Sequence, residues 1–393
     1  MVKQDKKKNI NILIIQILAL VLVVLGFTIG MGPAMSRQMG GENVEIFRLL
    51  FKLYENLVRA TIVILGVFFT IRYTLQKKGK ISRFRLTSLI SFSTMAFIVL
   101  ILLPLITRFW DFYFAITPFP WLTLPLQLVS NGAFFFNRFE EPYGMYGPMI
   151  VLYGYFGYQL FMFTGVLLLG RRWQCSMICL INGCHAESMG IALPLTPHNK
   201  KRPHSKQINP SVRKVLLVTQ LFLFSLNMLL MLLWSFYTFF GIALVPMKLA
   251  IVVELIKYLS IEVVLFMILW IFIGGRGYCY YCPVGFLLGM IGRAVGQKIE
   301  TDLTHCTGCN ACNDACKMSV DVAAFASNNK PVKTIQCTGC GLCVDNCPTQ
   351  NLRYTTRFMD WLKRKRMQDG DSPQSAVDSP HNEKSEILNP LVK

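Results

Sequence analysis

The residues best suited to do chemistry are eight cysteines in two runs of identical spacing, C-x2-C-x2-C-x3-C. The first run is Cys306, Cys309, Cys312 and Cys316, and the second is Cys337, Cys340, Cys343 and Cys347. Three thiolates spaced this closely can hold a 4Fe-4S cubane in one tight loop, with the fourth ligand coming from elsewhere. Zinc sites usually take ligands in separated pairs and disulfides suit small secreted chains, so both are disfavoured.

The two runs are halves of an internal repeat. The second run follows the first by 31 residues, both begin Cys-Thr-Gly-Cys, and Pro348 follows the last cysteine. In two-cluster ferredoxins the fourth cysteine of each run ligates the cluster of the other run. We therefore assign two ligand sets: Cys306, Cys309, Cys312 and Cys347 for cluster 1, and Cys337, Cys340, Cys343 and Cys316 for cluster 2.

The composition indicates that most of the chain lies in a membrane. Hydrophobic residues make up 53% and charged residues 16% of the 393 residues, whereas a soluble domain carries about 25% charged residues. The net charge of +19 is not accompanied by a nucleic-acid-binding motif. The lysines and arginines cluster beside apolar segments instead, as the positive-inside rule describes.

Hydropathy predicts about six membrane spans, at 10–30, 58–75, 86–107, 149–169, 215–245 and 249–273. The strongly basic segments around 77–85 and 170–214 then fall on one side, which predicts that both termini and the ferredoxin lie in the cytoplasm, at the cell (inner) membrane. The loop 108–148 is rich in aromatic residues and has few basic ones. It is either an interfacial belt on the outer side or the lining of a quinone pocket.

The fold class follows: a polytopic α-helical membrane protein with a small α+β, two-cluster bacterial-type ferredoxin module at the cytoplasmic face. We expect an anchor and amphipathic linker over 1–57, and a membrane domain over 58–296. The ferredoxin domain covers 297–356. The polar composition of the last part predicts a disordered tail over 357–393.

Five further cysteines lie outside the ferredoxin, in segments 170–190 and 275–285: Cys175, Cys179, Cys184, Cys279 and Cys282. Each segment follows a predicted span and has the order Gly-Arg, aromatic residue, cysteine pair. This second repeat places two groups of thiols at the same membrane face. Arg171, Arg172 and Arg276 would stabilise thiolate charge there.

This arrangement resembles the NapH-type membrane ferredoxins, the group that includes MauN-like and NosR-like electron-transfer proteins. The resemblance covers roughly 58–350 and is most specific at 275–285 and 306–348. The family's membrane-face segments usually read C-x3-C-P. Here the first segment has Leu180 in place of the proline, and Cys279 and Cys282 are separated by only two residues. The resemblance implies electron transfer between a quinone pool or a soluble ferredoxin and a partner enzyme.

The five extra cysteines have three interpretations. They could hold a further iron–sulfur cluster. They could form a redox-active dithiol, or a copper or zinc site, with His185 as a further ligand. They could also be buried cysteines without a cofactor.

Ionisable residues limit what the spans can do. All five histidines lie outside the predicted spans, which excludes haem ligated by a pair of histidines within them. Glu254, Lys257 and Glu262 lie in the sixth predicted span, where they either form a proton path or a quinone contact, or lie near the outer end and snorkel. A redox-driven ion pump is disfavoured because carboxylates are concentrated in this one span.

The leading hypothesis is a membrane-anchored electron-transfer subunit of an oxidoreductase complex, with redox proteins and lipid as partners, rather than a stand-alone enzyme. No nucleotide-binding or hydrolytic motif is present. The alternative is an assembly or regulatory protein that reduces a metal or a thiol during maturation of a client enzyme.

Overall fold

The structure is a computed structural model that describes residues 53–78, 81–107, 146–188, 208–240, 260, 264–265, 268–269, 276–301, 306–328 and 330–368. The first predicted span, most of the aromatic loop, and Glu254, Lys257 and Glu262 lie outside these residues. The predictions made for them therefore stay predictions.

Long helices make up the first part of the described chain. A π-helical turn, Leu53–Val58, leads into helix α1, Arg59–Lys78. Helix α2, Arg83–Phe97, continues through a π-helical segment, Ile98–Leu102, into α3, Leu103–Thr107. Helix α4 is Tyr146–Leu169, and α6 is Pro210–Phe240.

Three stretches within the described residues are long and apolar enough to cross a membrane: Asn56–Gln76, Arg83–Thr107 and Ser211–Leu229. They overlap the predicted spans at 58–75, 86–107 and 215–245. Large apolar side chains such as Phe68, Phe69 and Phe222 are exposed on them, as expected for helices whose neighbours are lipid chains. The described residues thus contain three such stretches, whereas about six spans were predicted for the whole chain.

Short elements follow the long helices. A π-helical turn, Gln174–Ile178, and helix α5, Gly183–Ser188, come after α4. A 3-10 turn, Gly277–Tyr280, precedes helix α7, Pro283–Ala294. Helix α7 begins sharply because Pro283 is preorganised for the first turn and the Cys282 side chain caps it by accepting from the Gly285 N–H.

The ferredoxin part is small and mixed. Strand β1, Lys298–Thr301, pairs antiparallel with β2, Leu352–Thr355, with Lys298 opposite Thr355. Between them lie the short helices α8, Ala311–Ala315, α9, Val322–Ser327, and α10, Leu342–Asp345. Its core is continuous with that of the helical part, because Ile299, Val332 and Tyr354 belong to the same buried cluster as Cys175 and Cys279.

The first part of the expected disordered tail is helical. Residues 357–368, assigned to that tail, form helix α11, Arg357–Gln368. Thr356 caps this helix, since its hydroxyl accepts from the Met359 N–H at 3.3 Å. A local cap therefore outweighs the polar composition from which the tail was predicted. The remainder, 369–393, lies outside the described residues.

Candidate iron–sulfur site

The thiols assigned to cluster 1 line one cavity. Cys306, Cys309, Cys312 and Cys347 surround a space of about 420 Å³ beside α8. Cys306 and Cys309 are exposed. The loop turns tightly because Gly308 and Asn310 have positive φ angles of 66° and 63°. Four thiols around a shared cavity fit the donor set that a cubane requires.

The thiols assigned to cluster 2 lie deeper. Cys343 is buried, and its electrostatic neighbours include Cys340, Cys337 and Cys316, followed by Cys312 of the other set. Burial raises the pKa of the Cys343 thiol well above its usual value, because a thiolate is poorly stabilised away from water. Bound iron would supply the missing positive charge, so this set also fits a cluster.

The described side chains do not form a compact site for a single metal ion. Within the described ranges, no three His, Cys, Asp or Glu side chains are grouped closely enough to hold one ion. A cubane does not demand such a group, because each of its four thiolates binds a different iron atom.

Four of the five extra cysteines come together beneath the ferredoxin. Cys175 and Cys279 are buried in the shared core and Cys282 packs against it. The Cys282 thiol has Cys279, Cys175 and Cys179 as electrostatic neighbours. We refer to Cys175, Cys179, Cys279 and Cys282 as the membrane-face thiols. Their convergence joins two segments that are about a hundred residues apart in the chain.

Cys184 faces a different part of the molecule. It is fully buried among Leu180 and side chains of α1 and α2 such as Val63 and Phe92. Its N–H donates to the Cys179 carbonyl at 3.0 Å, and the Cys179 thiol is one of its electrostatic neighbours. The apolar surroundings of Cys184 favour a packing role, and its membership of a five-cysteine ligand set stays a prediction.

Two of the three predicted arginines serve the membrane-face thiols. Arg171 donates from Nε to Cys175 Sγ at 3.3 Å, and Arg276 donates from Nη1 to the Cys175 carbonyl at 3.0 Å. The Arg171 Nη2 atom is buried and has no hydrogen-bond partner among the described residues. A buried cation with a free donor beside four thiols fits an anionic cofactor.

Arg172 does not serve the thiols as predicted. Its guanidinium lies 3.0 Å from the centre of the Phe84 ring. It donates to the Phe84 carbonyl at 2.6 Å and to the Gly339 carbonyl at 3.3 Å. Arg172 therefore joins α2 to the second cysteine run.

The second cysteine run rests directly on the segment that carries Cys175. Ser176 Oγ donates to the Thr338 carbonyl at 2.8 Å, and Arg171 Nη1 donates to the Ile335 carbonyl at 2.6 Å. Gln297 bridges the two parts, since its Oε1 accepts from the Arg171 N–H at 2.7 Å and its Nε2 donates to the Cys337 carbonyl at 2.9 Å. These bonds hold cluster 2's loop against the membrane-face thiols.

A buried carboxylate reinforces this contact. Glu187 is 0% exposed and forms ion pairs with Arg85, with Arg276 at 2.9 Å and with Lys317 at 3.8 Å. Burial raises the pKa of Glu187, but the three cations outweigh it and hold the pKa well below the ordinary 4.5. Lys317 directly follows Cys316 and also donates to the Ala186 carbonyl at 2.5 Å. We call Glu187, Arg85, Arg276 and Lys317 the charge cluster.

Sequence analysis did not identify Glu187 or Gln297. Glu187 is an acidic residue in a strongly basic segment, and its three partners come from distant parts of the chain. The signal that could have indicated it is this isolation: a lone acid among many cations at a predicted membrane face is a candidate for ion pairing.

Comparison with known families agrees with the ferredoxin assignment. Residues 298–348 match the family model described as a 4Fe-4S dicluster domain. No curated protein and no solved structure matches the chain. The matched residues include all eight cysteines of the two runs and begin at β1. The chain therefore contains an iron–sulfur-binding, ferredoxin-like domain joined to apolar helices.

Proposed function

We propose that this protein is a membrane-anchored electron-transfer subunit with two 4Fe-4S clusters. Cys306, Cys309, Cys312 and Cys347 would hold cluster 1, and Cys337, Cys340, Cys343 and Cys316 would hold cluster 2. Such clusters transfer single electrons. The observation that carries the proposal is the docking of the Cys337–Cys340 loop on the segment of Cys175.

The two ligand sets differ in their exposure and in their contacts with the helical domain. The cluster 2 set is held against the helical domain by Arg171, Ser176 and Gln297. In the cluster 1 set, Cys306 and Cys309 are exposed. A redox partner protein can therefore approach cluster 1, whereas the helical domain contacts cluster 2.

The membrane-face thiols are the proposed site of a third cofactor. Cys175, Cys179, Cys279 and Cys282 provide four thiols of the kind that an iron–sulfur cluster prefers. The free donor of Arg171 and the nearby guanidinium of Arg276 would balance its negative charge. Under this proposal the five-cysteine set of the sequence prediction is reduced to four.

The membrane orientation is also part of the proposal. The end of α4, the beginning of α6 and the beginning of α2 all contact the ferredoxin side. Tyr354 donates to the Leu169 carbonyl, Arg213 donates to the Ser319 carbonyl, and the Phe84 ring lies 5.6 Å from that of Tyr354. These three ends carry the basic segments, which supports a cytoplasmic location at the inner membrane. A quinone pool or a soluble donor would then supply or receive electrons, as in the NapH-type proteins.

The test is to purify the protein anaerobically in detergent and to measure iron and labile sulfide. Two cubanes give about eight irons per chain and three give about twelve. Cys309→Ser should remove one cluster signal in electron paramagnetic resonance, and Cys340→Ser should remove the other. Retention of both signals in either variant would show that the ligand sets are wrong.

A second candidate function rests on the geometry of Cys279 and Cys282. This C-x2-C pair ends at the N-cap of α7, where the helix N-terminus favours a thiolate. Burial acts in the opposite direction and raises the pKa of both thiols. The protein would then reduce a metal or a thiol of a client enzyme. An iron count near eight, together with a thiol pair that can be oxidised reversibly and trapped by alkylation, would favour this function over a third cluster.

A further inference from the structure

Helix α11 begins at the end of helix α4, where the apolar surface of the helical domain stops. Thr356, its cap, donates from Oγ1 to the Leu168 carbonyl at 2.8 Å, and Tyr354 donates to the Leu169 carbonyl at 2.8 Å. The side chain of Leu167 is 55% exposed at this turn. The next residues along the chain are Gly170 and the buried Arg171. The start of α11 is therefore fixed at the level where lipid contact would end.

The surface of α11 combines aromatic and basic side chains. None of its residues is buried. Trp361 is 50% exposed, stacks on Phe358 at 5.9 Å, and has the Lys365 amino group 5.6 Å from its ring centre. Four consecutive exposed cations follow Leu362: Lys363, Arg364, Lys365 and Arg366. Tryptophan prefers the headgroup level of a bilayer, and lysine and arginine are attracted to anionic lipid.

The one acidic residue of α11 is directed elsewhere. The Asp360 carboxylate accepts from Thr355 Oγ1 at 2.6 Å and pairs with Arg353 at 3.1 Å, both on β2. It is therefore engaged by the ferredoxin sheet. The exposed side chains of α11 are therefore strongly positive and include one aromatic anchor.

We propose that α11 lies on the membrane surface and binds the headgroups of anionic phospholipids through residues 363–366, with Trp361 at the headgroup level. A bilayer is favoured over a protein partner because the helix starts at the predicted lipid boundary and is attached there by two hydrogen bonds. Its length of 12 residues suits an interfacial helix, since it is too short to span. This inference rests on the membrane anchoring proposed above.

The test compares the full-length protein in nanodiscs of phosphatidylcholine with the protein in nanodiscs containing about 30% phosphatidylglycerol. Amide hydrogen exchange over 357–368 should slow by at least about tenfold in the anionic nanodiscs and recover at high salt. The variant Lys363→Gln/Arg364→Gln/Lys365→Gln/Arg366→Gln should lose this protection. The control Lys330→Gln/Lys333→Gln removes two exposed lysines of the same domain outside α11 and should retain it.

A second measurement tests whether Trp361 lies within the bilayer. Brominated lipid should quench a component of the tryptophan fluorescence that is missing from Trp361→Phe. Equal exchange of α11 in both kinds of nanodisc, or no difference in quenching, would overturn the inference. Protection seen only with native membrane proteins would overturn it too and would assign α11 to a protein partner. Release of the chain by alkaline carbonate would instead refute the anchoring itself.

Discussion

The two halves of the ferredoxin share the sequence Cys-Thr-Gly-Cys but differ in their surroundings. In the first half Thr307 is exposed, and a Cβ placed on Gly308 would meet nothing within 4 Å. In the second half Thr338 is 1% exposed. A Cβ on Gly339 would lie 2.7 Å from the Cβ of Arg172 and 2.9 Å from the Tyr354 ring. One copy of the motif is open and the other is packed against the helical domain.

This difference shows that ligand spacing and docking are specified by different atoms. The cysteines determine which residues can hold a cluster. The docking uses backbone carbonyls of Ile335, Thr338 and Gly339, which accept from Arg171, Ser176 and Arg172. Every residue has a carbonyl, so the run itself carries no signal of which half will be docked.

The largest effect should come from the charge cluster. Glu187→Gln leaves three buried cations without their carboxylate, and breaking a buried ion pair in this way costs about 3–5 kcal/mol. We expect much faster amide exchange over 335–343 and around Lys317 than in wild type, with 306–312 little changed. Glu300→Gln, which removes an exposed pair with Arg353, is the matched control and should cost less than about 1 kcal/mol. An equal loss of exchange protection in both halves of the ferredoxin would contradict a role specific to the docked half.

Replacing the two equivalent glycines by alanine should separate backbone strain from packing. Gly308 and Gly339 have φ angles of 66° and 67°, so each substitution carries the same left-handed penalty of about 1–2 kcal/mol. Gly339→Ala adds a clash with Arg172 and Tyr354, worth about 1–3 kcal/mol more. The comparison is made by the urea concentration at which each cluster signal is lost. Similar losses for both variants would mean that the docked half is not packed as described.

A smaller effect is expected at Ser176. Its hydroxyl donates to the Thr338 carbonyl and accepts from Arg276 Nη2 at 3.1 Å. Ser176→Ala should reduce the stability of the docked half by about 1–2 kcal/mol, because the Thr338 carbonyl and Arg276 Nη2 would stay buried without this partner. Ser327→Ala, at an exposed hydroxyl in the first half of the domain, is the control. Amide exchange at Thr338 and Gly339 is the readout, and unchanged exchange there would exclude the hydrogen bond.

The weakest dependence should be on pH. The folded-state pKa of Glu187 is lowered below 4.5, so its stabilising contribution is present above pH 4.5 and is lost as the pH falls toward the folded-state pKa. We expect the amide exchange protection of 335–343 to be unchanged between about pH 8 and pH 5. Below that, the free energy that holds this segment closed should fall by at most about 1.4 kcal/mol per pH unit. The Glu187→Gln variant should lack this acid transition. A transition centred near neutral pH in wild type would require a different group.

The local features of this molecule were predictable from the sequence, whereas the long-range contacts were not. The cysteine runs, the glycine turns and the apolar helices are set by spacing and composition over a few residues. Glu187 and Arg85 meet only because α5 packs against α1 and α2. The packing of Cys184 has the same origin, because it depends on which side of α5 faces Val63 and Phe92.

Helix α11 was missed for a different reason. Composition over 357–393 is polar, and averaging over the whole stretch hid a helix of 12 residues at its start. The cap at Thr356 and the apolar spacing of Phe358, Trp361 and Leu362 are sequence signals that identify α11 when the segment is read in shorter windows.

The turns before α8 and α10 limit how the two copies of the repeat can change in sequence. Asn310 and Gly341 occupy equivalent positions 31 residues apart, and both have a positive φ angle. A Cβ on Gly341 would lie 2.1 Å from the Phe84 ring, so the docked copy has room only for glycine, whereas the open copy accommodates asparagine. If the halves arose by duplication, the copy that met the helical domain was restricted from then on, and the other remained free to change its surface for new partners.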